Sequence, residues 1–158
     1  MERVDIVCVG TLKEKYLREL CAEYQKRLTR FCKLNIVELA ESKLPSDPSD
    51  KEIERALENE AKSILSATEG SYRIAMCIES DNPSSEKLAK IIENAAAVKG
   101  RVSFIIGSSH GLADCVKNAS DMRISMSRMT FPHQIARGML LEQIYRTYMI
   151  RGGGSYHK

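Results

Sequence analysis

Apolar and polar positions follow two different periods along the chain, and these periods predict alternating strands and helices. Short apolar or β-branched runs, bounded by turn residues, predict strands. Apolar residues spaced three or four apart predict amphipathic helices between them. The predicted strands are, in chain order, 3–9, 34–39, 73–79, 102–106 and 122–126. The predicted helices are 13–31, 50–67, 85–97, 113–119 and a long one that begins at Pro132.

This order of elements predicts the fold class. Strands separated by helices of this length favour a mostly parallel sheet with helices on both faces. Residues 73–79 and 102–106 are nearly continuously apolar, as is typical of strands covered on both sides. No shift in composition and no internal repeat divides the chain. We therefore expect residues 1–158 to form a single α/β domain.

The last helix carries more apolar surface than a surface helix needs. Projected at 100° per residue, its polar side chains share one sector, and its apolar side chains cover most of the remaining circumference. The polar sector holds Glu142, Gln143, Arg146 and Thr147. The apolar positions are Ile135, Met139, Leu140, Leu141, Ile144, Tyr145, Tyr148 and Met149. A surface helix is apolar along one stripe, so we expect a second covered side, supplied most simply by another subunit. Glu142 and Arg146 stand four residues apart and are placed to pair.

Three strand ends form the candidate ligand site, namely residues 76–79, 107–111 and 126–134. In open α/β sheets ligands bind beyond the carboxyl ends of the strands, so these loops would line one pocket if their strands are neighbours. Gly107 and Gly111 permit close backbone approach, although this spacing, taken alone, favours an ordinary tight turn between a strand and a helix. The spacing is neither a Walker loop nor a dinucleotide fingerprint, which disfavours nucleoside triphosphates and an oxidoreductase. His133 is a structural hydrogen-bonding residue or a catalyst.

Charge, cysteines and apolar runs narrow the function classes. The net charge is only +3, but residues 38–60 hold eight acidic and three basic residues, and residues 101–158 hold eight basic and three acidic residues. A basic C-terminal part suits a polyanion such as nucleic acid, or is a solvated face. Five cysteines stand singly, which favours buried structural thiols over a metal site. No apolar run approaches the roughly 20 residues of a membrane helix, so we expect a soluble, cytoplasmic protein without a membrane partner.

Four stretches together resemble a known family. They are Val9–Tyr16, the loop Gly107-Ser-Ser-His-Gly111, the run Ser127-Arg-Met-Thr-Phe-Pro-His-Gln134, and the end of the chain from Leu141-Glu-Gln-Ile-Tyr-Arg146 to Tyr156-His157-Lys158. They are similar to the RlmH (YbeA-type) family of SPOUT-class methyltransferases, which methylate a pseudouridine of 23S ribosomal RNA. The resemblance covers essentially the whole chain.

The resemblance implies more than the pattern alone does. It implies a deep trefoil knot in the C-terminal part, an obligate homodimer, S-adenosyl-L-methionine as methyl donor, and N3-methylpseudouridine as product on the assembled 70S ribosome. Carried over by position, the cofactor contacts fall on Met76, Gly107, Met126, Ser127, Arg128, Met129, Thr130 and Phe131. Ser108 departs from the two adjacent glycines that the family commonly shows, and we expect it to be tolerated if its φ is negative.

The catalytic assignments are less direct. The N3–H of pseudouridine must be lost as its nitrogen attacks the donor methyl, so a general base or a cationic group would help. Tyr156 and His157 are the candidates to close over the RNA, and Glu142 and Arg146 the candidates to organise a dimer pocket. Chain ends such as this one usually have no function. The alternative from another class is a non-catalytic module that binds RNA or the ribosome.

Overall fold

The computed structural model describes residues 1–155, in which five strands and five helices alternate along the chain. The order of elements is the predicted one. The strands are β1 (Glu2–Val9), β2 (Cys32–Leu39), β3 (Tyr72–Met76), β4 (Arg101–Ile106) and β5 (Met122–Ile124). The helices are α1 (Lys15–Leu28), α2 (Asp50–Ala67), α3 (Ser85–Lys99), α4 (Asp114–Ala119) and α5 (His133–Arg151).

All five strands lie in one sheet, in the order β2-β1-β4-β3-β5, and every pair of neighbours is parallel. The predicted α/β class with a mostly parallel sheet is therefore confirmed. Three of the strands, β4, β3 and β5, are consecutive neighbours. Because parallel strands end at the same edge of the sheet, the loops that follow these three strands lie side by side.

The sheet separates two apolar cores. On β4 the side chains of Val102, Phe104 and Ile106 belong to the core under α1, α3 and α5, whereas Ile105 belongs to the core under α2 and α4. This alternation follows from the period of two along a strand. Phe104 and Ile105 are both fully buried, so the central strand is covered on both faces. Helices therefore lie on both sides of the sheet, as the sequence predicts.

Helix α5 lies between α1 and α3, and none of its residues from 133 to 151 is exposed. Gly138 gives close approach to α1, since a Cβ on it would lie 2.7 Å from Cδ2 of Leu20. At the far end the rings of Phe31 and Tyr148 stack with centroids 5.8 Å apart. Much of the burial that the sequence assigned to another subunit is thus supplied by the chain itself. The apolar circumference of α5 is weaker support for a dimer than the pattern suggested, and the homodimer stays a prediction.

A local capping signal sets the start of α2, whereas two strand ends differ from the prediction. Ser49 and Glu52 form a reciprocal capping box at the start of α2, with both hydrogen bonds at 3.2 Å. Two strands end earlier than predicted, because residues after Met76 and Ile124 leave the sheet. The backbone N–H of Cys77 still donates to the carbonyl of Ile124 at 2.8 Å, but no regular pairing follows it. The two strand ends therefore become loop at the point where the candidate site begins.

A clasp of hydrogen bonds joins the first strand to the last helix. The guanidinium of Arg151 donates to both carboxylate oxygens of Glu2, at 2.7 and 2.9 Å. The hydroxyl of Tyr148 donates to the same carboxylate at 2.7 Å. The hydrogen bond from Arg151 lowers the pKa of Glu2 below its ordinary value. We call this group of Glu2, Tyr148 and Arg151 the terminal clasp.

Four of the five cysteines, namely Cys8, Cys21, Cys32 and Cys77, are buried. The prediction of buried structural thiols holds for these four and is wrong for Cys115, which lies exposed on the short helix α4. Within residues 1–155, no three histidine, cysteine, aspartate or glutamate side chains gather closely enough to hold a metal ion. Over the same range, every helix is too short or too polar to cross a lipid bilayer.

Candidate active site

A cavity of about 380 Å³ opens at the carboxyl edge of the sheet, between the loops that follow β3, β4 and β5. Its volume falls within the roughly 300–1,000 Å³ of small-molecule sites. The three loops that the sequence singled out are therefore brought together. The cavity is lined by residues 76–79 after β3, 106–112 after β4, 124–127 and 129–131 after β5, and by Lys117, His133 and Ala136.

The loop after β4 is the tightest part of this wall. A Cβ on Gly107 would lie 2.2 Å from the carbonyl oxygen of Gly111, so only glycine fits there. The N–H of Gly111 donates to the carbonyl of Ser108 at 2.9 Å, and Gly111 itself has a φ of +84°. Among the described residues only glycines have positive φ, so Ser108 meets the condition under which we expect it to be tolerated. The departure from two adjacent glycines leaves the backbone of the loop unstrained.

Beneath this loop lies Glu60, which the sequence analysis missed. This residue is only 4% exposed and belongs to α2, which the acidic pattern predicted to be a solvated helix. Oε1 accepts a hydrogen bond from the hydroxyl of Ser108 at 3.1 Å. Oε2 accepts one from the backbone N–H of Ser42 at 2.9 Å. Helix α2 therefore takes part in shaping the cavity wall.

The loop after β5 is held by hydrogen bonds of its own serines. The hydroxyl of Ser125 donates to the carbonyl of Ser127 at 2.7 Å, and the N–H of Met129 donates to the hydroxyl of Ser127 at 3.0 Å. The N–H of Ser125 also donates to the carbonyl of Asp81 at 2.9 Å, which joins this loop to the one after β3. Its middle stands out from the body of the protein, with Met129 69% exposed. Such a loop can contact both a small ligand and a larger partner.

The structure places the eight predicted cofactor contacts in two groups. Seven line the cavity, namely Met76, Gly107, Met126, Ser127, Met129, Thr130 and Phe131. Arg128 is exposed and does not line it. Their shared position along one cavity does not show a bound ligand, so contact with a cofactor stays a prediction.

An ion pair stands at the rim of the cavity, and it too was missed from the sequence. Nζ of Lys117 on α4 lies 2.8 Å from Oε1 of Glu79, in the loop after β3. This contact lowers the pKa of Glu79 and raises that of Lys117, so both remain charged near neutral pH. The rim of the cavity therefore carries one positive and one negative charge beside a largely apolar wall. In that wall, burial raises the pKa of the Cys77 thiol.

Two of the predicted catalytic residues, Glu142 and Arg146, lie apart from the cavity in this chain. Glu142 and Arg146 form the predicted pair on α5, with Nη2 2.7 Å from Oε1. His133, at the start of the same helix, lines the cavity, but Glu142 follows nine residues later, about 14 Å along the axis. Neither member of the pair lines the cavity. Tyr156 and His157 lie outside the described residues.

A family model described as "Predicted SPOUT methyltransferase" matches residues 2–157. The chain belongs to the SPOUT methyltransferase family. The match covers nearly the whole chain and spans all ten elements.

Individual relatives of this SPOUT chain carry more specific names. It is 49% identical to "Ribosomal RNA large subunit methyltransferase H" of Clostridioides difficile, over 98% of this chain and 99% of that protein. It is 45% identical to a protein of the same name from Clostridium novyi, over 98% of this chain and 99% of that protein. It is also 45% identical to one from Streptococcus gordonii, over 99% of each chain.

A solved structure gives a separate view of the SPOUT fold. The tRNA (m1G37) methyltransferase from Aquifex aeolicus matches 91% of this chain and 69% of its own length with a TM-score of 0.56. At 12% identity this likeness concerns the fold alone. It agrees with the parallel sheet and its two helical layers. The deep trefoil knot implied by the resemblance stays a prediction.

Proposed function

We propose that this chain is an S-adenosyl-L-methionine-dependent methyltransferase that methylates N3 of a pseudouridine in 23S ribosomal RNA. The observation that carries the proposal is the cavity between the three loops at the carboxyl edge of the sheet. It lies in a SPOUT chain with relatives, 43–49% identical over nearly their full length, that are named as methyltransferases of large-subunit ribosomal RNA. We take residues 1–158 as one catalytic domain whose C-terminal part is knotted.

The cavity suits the proposed methyl donor in size and in chemistry. Its wall combines apolar side chains such as Ile106 and Leu112 with backbone groups of the Gly107 loop, which fits a ligand that is part aromatic base and part polar chain. Seven predicted contacts line it, and Arg128 stands exposed in the same loop. When bound, the donor supplies a methyl group already activated by its sulfonium. The protein residues then need to align the acceptor and remove a proton.

The acceptor nitrogen of pseudouridine carries a proton that must leave as the N–C bond forms. We assign the proton transfer to Tyr156 or His157, because a phenol and an imidazole are the available groups on the chain end. Glu142 and Arg146 lie about 14 and 20 Å, respectively, from His133 along α5. In a homodimer this pair would serve the cavity of the partner subunit, so that each site is shared. The guanidinium of Arg146 would there stabilise the negative charge that develops on the pseudouridine ring as N3 loses its proton.

The RNA partner is supported by exposed cations on a separate element. Lys13, Lys15, Lys26 and Arg30, on and next to α1, are all exposed, although a solvated face has the same appearance. Such groups contact phosphates and make binding depend on salt. We propose that the protein acts in the cytoplasm on the assembled 70S ribosome, where the pseudouridine is presented in a folded RNA surface.

The deciding experiment is mass mapping of 23S ribosomal RNA from cells with and without this protein. We expect one pseudouridine to lose a single methyl group when the protein is absent, and the purified protein with S-adenosyl-L-methionine to restore it on 70S ribosomes. An unchanged RNA would refute the assigned substrate. Calorimetry separates the rival, since a non-catalytic RNA-binding module would show no micromolar binding of S-adenosyl-L-methionine.

The assignment of proton transfer to Tyr156 or His157, which we call the tail, is tested by single-turnover methylation on ribosomes. We expect both Tyr156→Phe and His157→Ala to leave donor binding intact, and at least one of them to slow the methyl transfer. If neither variant changes the rate, the tail does not supply the base. If Arg146→Ala and a variant with both Tyr156→Phe and His157→Ala are each inactive alone, activity in a mixture of the two would indicate a site shared between subunits.

A further inference from the structure

The carboxylate of Glu60 lies behind the cavity wall and is too well buried to be a surface charge of an acidic helix. Only 4% of the residue is exposed, whereas Glu58, two residues earlier in α2, faces solvent. Burying a carboxylate is costly unless its oxygens accept hydrogen bonds. Each oxygen of Glu60 has one donor, the N–H of Ser42 on Oε2 and the hydroxyl of Ser108 on Oε1. Among residues 1–155 no cation pairs with it.

These two hydrogen bonds determine what Ser108 can offer a ligand. A carboxylate only accepts hydrogen bonds, so the hydroxyl of Ser108 must point its proton at Glu60. Ser108 is itself 6% exposed and lines the cavity. With its proton directed away from the cavity, its oxygen has lone pairs left and can only accept a hydrogen bond from whatever binds there.

We propose that Ser108 is a ligand-contacting residue of the cavity and that Glu60 is the positioning residue that fixes Ser108 as an acceptor. The ligand group opposite Ser108 is then a hydrogen-bond donor, an amine or a hydroxyl. The inference rests on the proposed function, because it takes the cavity as the site of the methyl donor. It also gives a role in binding to the Ser108 side chain, which a loop with two adjacent glycines would lack. The anchor to Ser42 also fixes the carboxylate itself, so the acceptor is oriented before the ligand arrives.

Calorimetry with S-adenosylhomocysteine, the demethylated form of the donor, tests this assignment. In Glu60→Gln the amide keeps one acceptor for Ser42 and presents an N–H to Ser108, whose hydroxyl then turns its proton into the cavity. We expect Glu60→Gln and Ser108→Ala each to weaken binding about tenfold, the size of one lost hydrogen bond. Because both act through one contact, Glu60→Gln in the Ser108→Ala background should add less than twofold. Glu58→Gln is the matched control and should bind as the unmodified protein does.

The outcomes separate a positioning role from a structural one. If Glu60→Gln weakens binding equally with and without the Ser108 hydroxyl, the carboxylate acts by supporting the fold and the proposal is wrong. If Ser108→Ala binds as tightly as the unmodified protein, Ser108 makes no contact and the proposal is also wrong. Thermal unfolding of each variant confirms that binding is measured on folded protein. If the unmodified chain binds no S-adenosylhomocysteine, the proposed function itself fails, which is a distinct result.

Discussion

Gly107→Ala is the substitution that most directly tests the cavity. The new Cβ would lie 2.2 Å from the carbonyl oxygen and 2.6 Å from the carbonyl carbon of Gly111, and 3.0 Å from Cδ2 of Leu112. Real Cβ contacts are essentially never shorter than 3.0 Å, so the loop has to open. The two closest atoms are backbone, which cannot rotate away as the end of a side chain can. The hydrogen bond from Gly111 to the carbonyl of Ser108 is the contact that opening would break.

The cost follows from overpacking and from the lost hydrogen bond. Overpacking in a tight site costs about 1–3 kcal/mol, and we expect a loss of about 2 kcal/mol, which corresponds to about 4–8 °C in Tm for a domain of this size. Because Gly107 forms part of the cavity wall, the proposed donor site should be distorted as well. Differential scanning calorimetry measures the stability, and titration with S-adenosylhomocysteine should show binding at least tenfold weaker.

Gly70→Ala is the matched control for this experiment. Gly70 lies in the turn between α2 and β3 and has a φ of +74°, and a Cβ added to it would have no atom within 4 Å. Its substitution should cost about 1–2 kcal/mol of backbone strain and leave ligand affinity unchanged. If Gly107→Ala has the same Tm and the same affinity for S-adenosylhomocysteine as the unmodified protein, the tight loop is not required and the geometric reasoning is refuted.

Three further predictions concern stability and reactivity. Glu2→Gln should lower the free energy of unfolding by about 1 kcal/mol, because it weakens the contacts with Arg151. Since the pKa of Glu2 is lowered in the folded protein, its contribution to stability is present above about pH 4.5 and is lost as the pH falls below that value. Urea unfolding across pH should show this dependence in the unmodified protein and not in the variant. Phe104→Ala should cost about 3–5 kcal/mol in urea unfolding because the ring is fully buried, and a smaller loss would mean that the core collapses around the gap. A thiol reagent at pH 8 should label Cys115 quickly and Cys8, whose pKa burial raises to about 12, only after unfolding; rapid labelling of more than one thiol would contradict the buried core.

The hydrophobic pattern predicted the fold well because its two periods are properties of single elements. A run such as 102–106 is apolar at nearly every position since the central strand is covered on both faces, and that is readable without knowing its neighbours. The ends of β3 and β5 were less readable. Apolar residues continue past Met76 and Ile124, but pairing stops where Ser125 turns to hydrogen-bond Asp81 and Ser127. Where pairing stops depends on partners that a local pattern does not contain.

The candidate site divides along the same line. The three loops were predictable because strands that are parallel neighbours end at one edge. Glu60 and Lys117 were not, because their contacts to Ser108 and Glu79 join residues 48 and 38 positions apart. The acidic pattern of α2 did hold one signal. Glu60 is followed by buried Ala61 and stands four residues before buried Ile64, on the inward face of the helix.

The covered circumference of α5 shows how one pattern can have two physical causes. An apolar second side predicts burial and does not specify what covers it. In this chain α1 and α3 flank the helix, and the aromatic rings of Tyr24 and Phe31 contact Tyr145 at centroid distances of 6.0 Å. Evidence for a dimer must therefore come from solution measurements of mass.

The terminal clasp has a consequence for how the protein is made. Glu2 leaves the ribosome well before its partner Arg151, which follows 149 positions later. Strand β1 also pairs with β4, about a hundred residues further along the chain. A growing chain can therefore pair β1 with β2 early but has to keep the other edge of β1 open until β4 has been synthesised. Closing contacts over such separations is slow, so the docking of α5 against β1 should be a late step of folding.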